Sequence, residues 1–305
     1  MSEGPQTLLE ALELTDPAAR TTEDIVVGRP MRTPHKRVFG GQVLAQALLA
    51  AGRTVPEGRE LHSMHGYFLR AGSIEENLTF GIDRLYDGRS FSTRRTQVFQ
   101  SARPIFSMIS SFQQPDPGLD HQADIDLRRI PAPEDLMSLQ ERYAGITHAR
   151  AAWVLQRPVD IRHTSTPIFV EVEGERRAEQ CVWVRVTEPL GEDPTLHKAA
   201  LAFASDYIIL EPLMRRHGLP WATPGMSMAS LDHAMWFHRD ARADDWLLFV
   251  TESPSAQSSR GLATGRVYDR DGRLVASLAQ EGMVRLPEEL LEAIEGGDDA
   301  GSGTS

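Results

Sequence analysis

Two similar segments stand at corresponding places in the two halves of the chain. Residues 61–70 have the sequence LHSMHGYFLR and residues 230–239 have SLDHAMWFHR, and each precedes a stretch of alternating apolar and polar residues. An offset of 169 aligns Arg70 with Arg239, and an offset of 167 aligns Gln113 with Gln280. Matching order over whole segments is harder to reach by chance than matching composition, so the sequence indicates a duplicated fold.

Each copy combines one long apolar helix with a run of strands. In the first copy the apolar segment 40–52 begins with two glycines, and alternation from residue 61 onward predicts strands. In the second copy, residues 197–218 predict the matching helix, with Gly218 as its C-terminal cap. We therefore predict an α+β fold of two tandem units, each an antiparallel sheet wrapped around a long helix.

Composition divides the chain into four parts. Residues 1–114 form the first unit, 115–150 a proline-rich linker with a short helix, and 151–287 the second unit, which includes predicted strands at 167–172 and 179–187. Residues 288–305 are acidic and then rich in Gly and Ser, so we expect a disordered tail.

Charge and cysteine content exclude several classes of protein. A formal net charge of -11 disfavours nucleic-acid binding, which requires a basic face. The single cysteine, Cys181, excludes a disulfide framework and a cysteine-based zinc site. No apolar run is long enough to span a membrane and the first 20 residues lack signal-peptide features, so we expect a cytoplasmic protein.

Three polar residues of the second copy are candidates for catalysis. Asp206 lies in the apolar segment AFASDYIIL, early in the predicted helix, opposite residues 39–42 of the first copy. It is either a helix-start acid favoured by the helix dipole or a general base. Ser230 aligns with Leu61 and is a nucleophile, a water-positioning hydroxyl or a turn residue. Gln280 lies in an apolar strand, where its amide requires a partner.

Other polar residues suggest binding rather than catalysis. The histidines lack the spacing of known metal motifs, so we predict no metal site at His62, His65, His233 or His238. Four arginines are by default solvated strand charges and are also available to phosphates: Arg94, Arg95, Arg260 and Arg266. Among them, Arg260 with Gly261 in a predicted flexible loop is the best phosphate candidate.

An ordered set of segments resembles a known family. The segments are RVFGGQVLAQAL, LHSMHGYFLRAG, DGRSFSTRR, PIFSMISSFQ, LAFASDY, LDHAMWFHR, SSRGLATGRVYDRDGRLVAS and AQEG. Together they resemble the acyl-CoA thioesterase II family, the TesB-type double hotdog thioesterases, from about residue 8 to residue 285. The resemblance implies a double hotdog fold and hydrolysis of acyl-CoA to free fatty acid and CoA, a reaction of fatty acid metabolism, with no cofactor.

The resemblance also implies roles for individual residues. Asp206, Ser230 and Gln280 match the family's acid, hydroxyl and glutamine, which act together on the water that attacks the thioester. Many bacterial members have threonine where this chain has Ser230. The residues expected to bind substrate are Gly40, Gly41, Arg94, Arg260, Gly261 and His233. Backbone N–H groups near a helix start are expected to stabilise the oxyanion, and no covalent acyl-enzyme is required.

Two alternatives remain. One is an enoyl-CoA hydratase on the same fold, which requires an Asp and a His a few residues apart, whereas the next histidine after Asp206 is His217. The other is an acyl-CoA binding protein without catalysis. The resemblance further implies a homodimer or higher homo-oligomer, with acyl-CoA as the binding partner.

Overall fold

The two halves of the chain share one antiparallel sheet. The computed structural model describes residues 7–15, 24–34, 36–144 and 157–292. The first half contributes β1 (Leu14–Thr15), β2 (Asp24–Gly28), β3 (Glu60–Phe68), β4 (Leu78–Asp87), β5 (Phe91–Gln100) and β6 (Arg103–Gln113). The second half contributes β7 (Val159–His163), β8 (Glu179–Val186), β9 (Ser227–Ser230), β10 (Asp232–Phe237), β11 (Leu247–Gln257), β12 (Arg260–Tyr268) and β13 (Leu274–Arg285). The order across the sheet is β1-β2-β4-β5-β6-β3-β10-β13-β12-β11-β8-β7, and β9 also pairs with β13.

Two apolar helices pack together beneath this sheet. The helices that lie wholly within the described residues are α1 (Leu8–Leu12), α2 (Gly40–Gly52), α3 (Leu139–Arg142), α4 (Pro194–Ser205) and α5 (Glu211–Arg216), with 3₁₀ turns at Leu127–Arg129 and Pro133–Asp135. Helices α2 and α4 are buried over most of their length and run in opposite directions, because the start of α2 meets the end of α4 at Phe203. None of these helices has the length and apolar character needed to cross a membrane.

The strand register confirms the duplication. On either side of the β3–β10 junction the strands follow the same order, β6-β5-β4 in one half and β13-β12-β11 in the other. At the junction His65 pairs directly with Ala234, and these two residues differ by the offset of 169 that aligns Arg70 with Arg239. A local two-fold axis therefore passes through this pair, and the predicted α+β fold of two tandem units is confirmed.

The helix predicted over residues 197–218 is interrupted. Helix α4 ends at Ser205, residues 206–210 form turns, and α5 begins at Glu211 with Pro212 in its first turn. Proline lacks an N–H and clashes with the carbonyl four residues earlier, so it is tolerated in a first turn but not in a helix interior. The chain must therefore end one helix and start another before Pro212. Gly218 follows the end of α5 with a positive φ of 65°, as predicted for a cap.

Two other sequence-based assignments differ from the structure, and the predicted linker makes additional contacts. Residues 167–172 form no strand, and bends occupy 168–170. Residues 288–292 are helical, so the predicted disordered tail does not begin at 288, and the rest of it lies outside the described residues. Part of the linker packs on the second half of the sheet, where Ile125, Leu127 and Leu136 contact a cluster that contains Trp183 and Trp246.

The contact between α2 and α4 predicts unequal effects of alanine at two glycines. A Cβ at Gly41 would lie 2.4 Å from the Phe203 carbonyl oxygen, whereas a Cβ at Gly52 would lie 3.3 Å from Thr195 Cγ2. Gly41→Ala should therefore force the helices apart and lower the free energy of unfolding by about 1–3 kcal/mol. Gly52→Ala is the control and should leave the free energy of unfolding nearly unchanged. The higher helix propensity of alanine offsets the closer contact of its Cβ with Thr195. Urea midpoints measure both, and equal midpoints for the two variants would contradict the packing.

Candidate active site

Asp206 stands at the end of a helix rather than at its start. It is the C-cap residue of α4, with φ -68° and ψ -14°. The corresponding C-cap of α2 is Arg53. The prediction that Asp206 lies early in its helix, opposite residues 39–42, is therefore wrong, because the helix ends before Pro212. The first copy has an arginine at this position in place of a carboxylate.

The Asp206 carboxylate instead meets the N-terminus of the other long helix. The Gly41 N–H donates a hydrogen bond to Asp206 Oδ2 at 2.8 Å. Unsatisfied N–H groups and the macrodipole make the first turn of a helix favourable for an anion. A Cβ at Gly40 would lie only 2.7 Å from Asp206 Oδ2, so glycine is required for this close approach. Gly40 and Gly41 thus support the carboxylate, a role that the sequence did not predict for them.

Ser230 and Gln280 reach the same carboxylate from the sheet. Gln280 lies on β13 and donates from Nε2 to Asp206 Oδ1 at 3.2 Å and to Ser230 Oγ at 2.7 Å. Ser230, the last residue of β9, is opposite Gly282 on β13, and its Oγ is 3.4 Å from Asp206 Oδ1. Gln280 is buried, while Asp206 and Ser230 are partly exposed. The structure therefore brings together the three side chains that the sequence identified.

His233 lies behind this group. Its side chain is fully buried, with Nδ1 against Gln280 Oε1 and Nε2 at 3.1 Å from Ser205 Oγ. Burial, opposed by the nearby Asp206 charge, lowers the pKa of His233. A side chain with no exposed surface cannot contact a substrate in the cavity, so the predicted substrate-binding role of His233 does not fit its position.

Two cavities meet beside Ser230, and Asp206 lines one of them. One of about 630 Å³ is lined by Asp206 and mostly apolar side chains, among them Phe39, Phe169, Leu210, Trp221 and Met226. The other, of about 370 Å³, is lined by Phe68, Ile105, Phe106 and Arg70. Both cavities share the residues Arg37, Val38, Gly40, Met228, Ala229 and Ser230. A long ligand that extends from one cavity into the other would place its middle beside Asp206, Ser230 and Gln280.

The strand register gives the true counterparts of the polar group in the first half. Ala279 on β13 pairs with Ala234, as Ile109 on β6 pairs with His65. One residue further along, Gln280 therefore corresponds to Ser110. The sequence alignment of Gln280 with Gln113 is wrong by three residues, because Gln113 ends β6 whereas β13 continues past Gln280 to Arg285.

An arginine occupies the position of the site in the first half. Arg94 pairs with Ser110 across the sheet, as Ala263 pairs with Gln280 in the second half. Arg94 is fully buried, and its guanidinium donates to Thr54 Oγ1 at 2.8 Å and to Asp87 Oδ1 at 2.8 Å. It is therefore not a solvated charge, and its burial does not fit the predicted contact with a substrate phosphate.

Arg260 and Gly261 belong to a strand rather than to a flexible loop. Strand β12 begins at Arg260, after a tight turn at Ser258 and Ser259, both of which have positive φ. The Arg260 side chain is 43% exposed and lies 3.0 Å from Glu281 Oε1. A Cβ at Gly261 would lie 2.3 Å from Leu213 Cδ2, so this glycine makes room for α5. A phosphate contact of Arg260 stays a prediction.

Several other polar groups of this region were not identified from the sequence. Ser205 precedes Asp206 directly, and Arg37 and Arg70 line the cavities. The one available signal was the position of Ser205 beside the candidate acid. In the described ranges, no three His, Cys, Asp or Glu side chains form a group that could hold a metal ion.

Comparison with known proteins places the chain in a family. Residues 149–283 match the family model for acyl-CoA thioesterase, and residues 28–113 match the model for the acyl-CoA thioesterase N-terminal domain. The chain belongs to the acyl-CoA thioesterase family. Asp206, Ser230 and Gln280 lie in the first of these matches and Gly41 in the second, so the candidate site is formed by both parts of the family's sequence.

Individual relatives agree in length and fold. The chain is 36% identical to acyl-coenzyme A thioesterase 8 of Homo sapiens over 286 residues, 89% of this chain and 88% of the relative. It is 32% identical to acyl-CoA thioesterase 2 of Haemophilus influenzae, covering 83% and 89% of the two chains. The crystal structure of acyl-CoA thioesterase II TesB2 from Mycobacterium marinum superposes with a TM-score of 0.72 at 36% identity, covering 92% and 98%. The predicted double hotdog fold and thioesterase family are thereby confirmed.

Proposed function

We propose that this thioesterase hydrolyses acyl-CoA thioesters with a water activated by Asp206, Ser230 and Gln280. The observation that carries the proposal is the convergence of a carboxylate, a hydroxyl and an amide where two cavities meet. In the reaction the water oxygen bonds to the thioester carbonyl carbon, a proton passes to Asp206, and the C–S bond breaks. The proton then reaches the departing CoA sulfur, leaving a free acid and a thiol.

The hydrogen bonds of Asp206 suit it to act as a general base. A carboxylate has about four lone-pair positions for hydrogen bonds. Gly41 occupies one on Oδ2, and Gln280 and Ser230 approach Oδ1. The remaining position, on Oδ2, is available for the proton of a water. A carboxylate placed in this way can accept a proton from that water.

Gln280 and Ser230 divide the task of positioning. The two amide hydrogens of Gln280 are directed to Asp206 and to Ser230, so this side chain fixes both partners. Ser230 Oγ accepts a hydrogen bond from Gln280, so the hydroxyl hydrogen of Ser230 is free to donate. It donates to Asp206 over a long distance of 3.4 Å and can donate to a water instead. Ser230 is a poor nucleophile here, since both nitrogens of the buried His233 face other partners and none serves it as a base.

The two cavities suit the two ends of an acyl-CoA. We assign the acyl group to the cavity of about 630 Å³, because aromatic and aliphatic side chains line most of it. The pantetheine arm then follows the smaller cavity, where Arg70 and the shared Arg37 offer positive charge to the phosphates.

Enoyl-CoA hydration fits the geometry less well. That reaction requires a histidine that exchanges protons with the substrate beside the acid. His233, which lies one residue from Asp232 and behind Gln280, is buried and directed away from the cavity. Simple acyl-CoA binding without turnover is separated from hydrolysis by the first experiment below.

Asp206→Asn should abolish most of the turnover while preserving substrate binding. Replacing a general base lowers kcat by about 100- to 10,000-fold, while KM should change little because the amide keeps the carboxylate's shape. Thiol release from a panel of acyl-CoAs, compared with the wild-type protein, measures this. A folded wild type that hydrolyses no acyl-CoA, or a variant with unchanged kcat, would contradict the proposal.

Loss of a cavity arginine should affect only substrates that carry phosphates. Arg37→Ala and Arg70→Ala should raise KM for acyl-CoA by about tenfold, and should leave KM unchanged for the matching acyl-N-acetylcysteamine thioester, which lacks phosphates. Arg260→Ala tests the sequence-based prediction in the same assay, and Arg103→Ala, outside both cavities, is the control. An effect confined to Arg260→Ala would place the CoA arm elsewhere.

A further inference from the structure

A fully buried histidine adjoins the site without a part in the mechanism above. His233 lies on β10 with its side chain directed inward, between Ser205 at the end of α4 and Gln280 on β13. Gln280 and Ser205 in turn flank Asp206, one through a hydrogen bond and the other in sequence. His233 therefore connects the helix end that carries the acid to the strand that carries the amide.

The amide of Gln280 has two possible orientations of nearly the same shape. In one, NH₂ faces Asp206 and Ser230 and the carbonyl oxygen faces His233. In the other, the carbonyl oxygen would face the Asp206 carboxylate, two acceptors would oppose each other, and Ser230 would lose its donor. Only the first orientation holds both catalytic partners, so whatever selects it contributes to catalysis.

A hydrogen on Nδ1 of His233 selects that orientation. The Gln280 oxygen can only accept, so Nδ1 must donate to it. In neutral His233 the other nitrogen, Nε2, then carries the lone pair, and the Ser205 hydroxyl at 3.1 Å can donate to it. Were the hydrogen on Nε2 instead, Nδ1 would attract the NH₂ of Gln280 and turn the amide around.

The Ser205 hydroxyl allows Nδ1 to keep its hydrogen in either charge state. When His233 is protonated, Nε2–H donates to Ser205 Oγ, and the hydroxyl donates instead to the Ala202 carbonyl at 2.8 Å. In both states Nδ1–H faces Gln280. We propose that His233, steadied by Ser205, is a positioning residue that fixes the side-chain amide of Gln280 for catalysis. This inference rests on the hydrolytic function proposed above.

Two substitutions at position 233 distinguish the contribution of Nδ1 from that of Nε2. The side-chain amide of asparagine lies near the position of Nδ1 and can donate to Gln280, whereas that of glutamine reaches the position of Nε2, near Ser205. His233→Gln should lower kcat for acyl-CoA hydrolysis by about 10- to 100-fold with KM within about threefold, as expected when a transition-state contact is misplaced. His233→Asn should recover most of the lost kcat. His238→Gln is the control, because His238 contacts Ser277 outside the site.

A second background tests whether His233 acts through Gln280. In a Gln280→Ala protein the amide is absent, so adding His233→Gln should change kcat by less than about threefold, because residues that act as a unit are not additive. If His233→Gln lowers kcat as much in the Gln280→Ala protein as in the wild-type protein, the inference is overturned. So would an unchanged kcat in His233→Gln, or equal losses in His233→Gln and His233→Asn.

The two proposals fail in distinguishable ways. If Asp206→Asn is inactive while His233→Gln retains full kcat, hydrolysis through Asp206 stands and the role of His233 is refuted. If Asp206→Asn retains its kcat, the proposed mechanism is refuted whatever the variants of His233 do. Circular dichroism melting of every variant identifies a loss that comes from unfolding. If His233→Gln does not fold, His233→Leu, which fills similar space without a donor for Gln280, should show the loss of kcat instead, and an unchanged kcat in that variant would overturn the inference.

Discussion

The site depends on one hydrogen bond between the two halves of the chain. The Gly41 N–H at the start of α2 holds the carboxylate of Asp206 at the end of α4, at 2.8 Å. This contact requires that α2 and α4 run in opposite directions and touch closely, which the glycines at 40 and 41 allow. The acid is thus supported by a helix dipole that its own half does not supply.

The same two-fold arrangement explains why the candidate site occurs once rather than twice. At the opposite ends of the two helices, the position of Asp206 is taken by Arg53 and that of Ser230 by Leu61. The position next to the counterpart of Gln280 is filled by Arg94, whose buried guanidinium pairs with the exposed carboxylate of Asp87. The first half therefore lacks the carboxylate, the hydroxyl and the glutamine, and it contributes Gly40 and Gly41 instead.

Much of the architecture was predictable because the chain repeats itself. The order of helices and strands along the chain follows from local patterns in each half. Gln280 was identified as a candidate because an amide in an apolar strand needs a hydrogen-bond partner. The place of Asp206 was missed because the apolar pattern continues through the helix break at Pro212. The burial of Arg94 and His233 was missed for another reason. Each depends on residues distant in sequence, such as Thr54 for Arg94 and Ser205 for His233, which no local pattern contains.

The location of the thioester is the most direct test of this account. A crystal structure of the Asp206→Asn variant with an uncleaved acyl-CoA would reveal it. The account predicts the thioester carbonyl carbon where the two cavities meet, with a water about 3–3.5 Å away that contacts the side chains at positions 206 and 230. A thioester bound elsewhere, for example in the first half beside Leu61, would contradict a single centre at Asp206, Ser230 and Gln280.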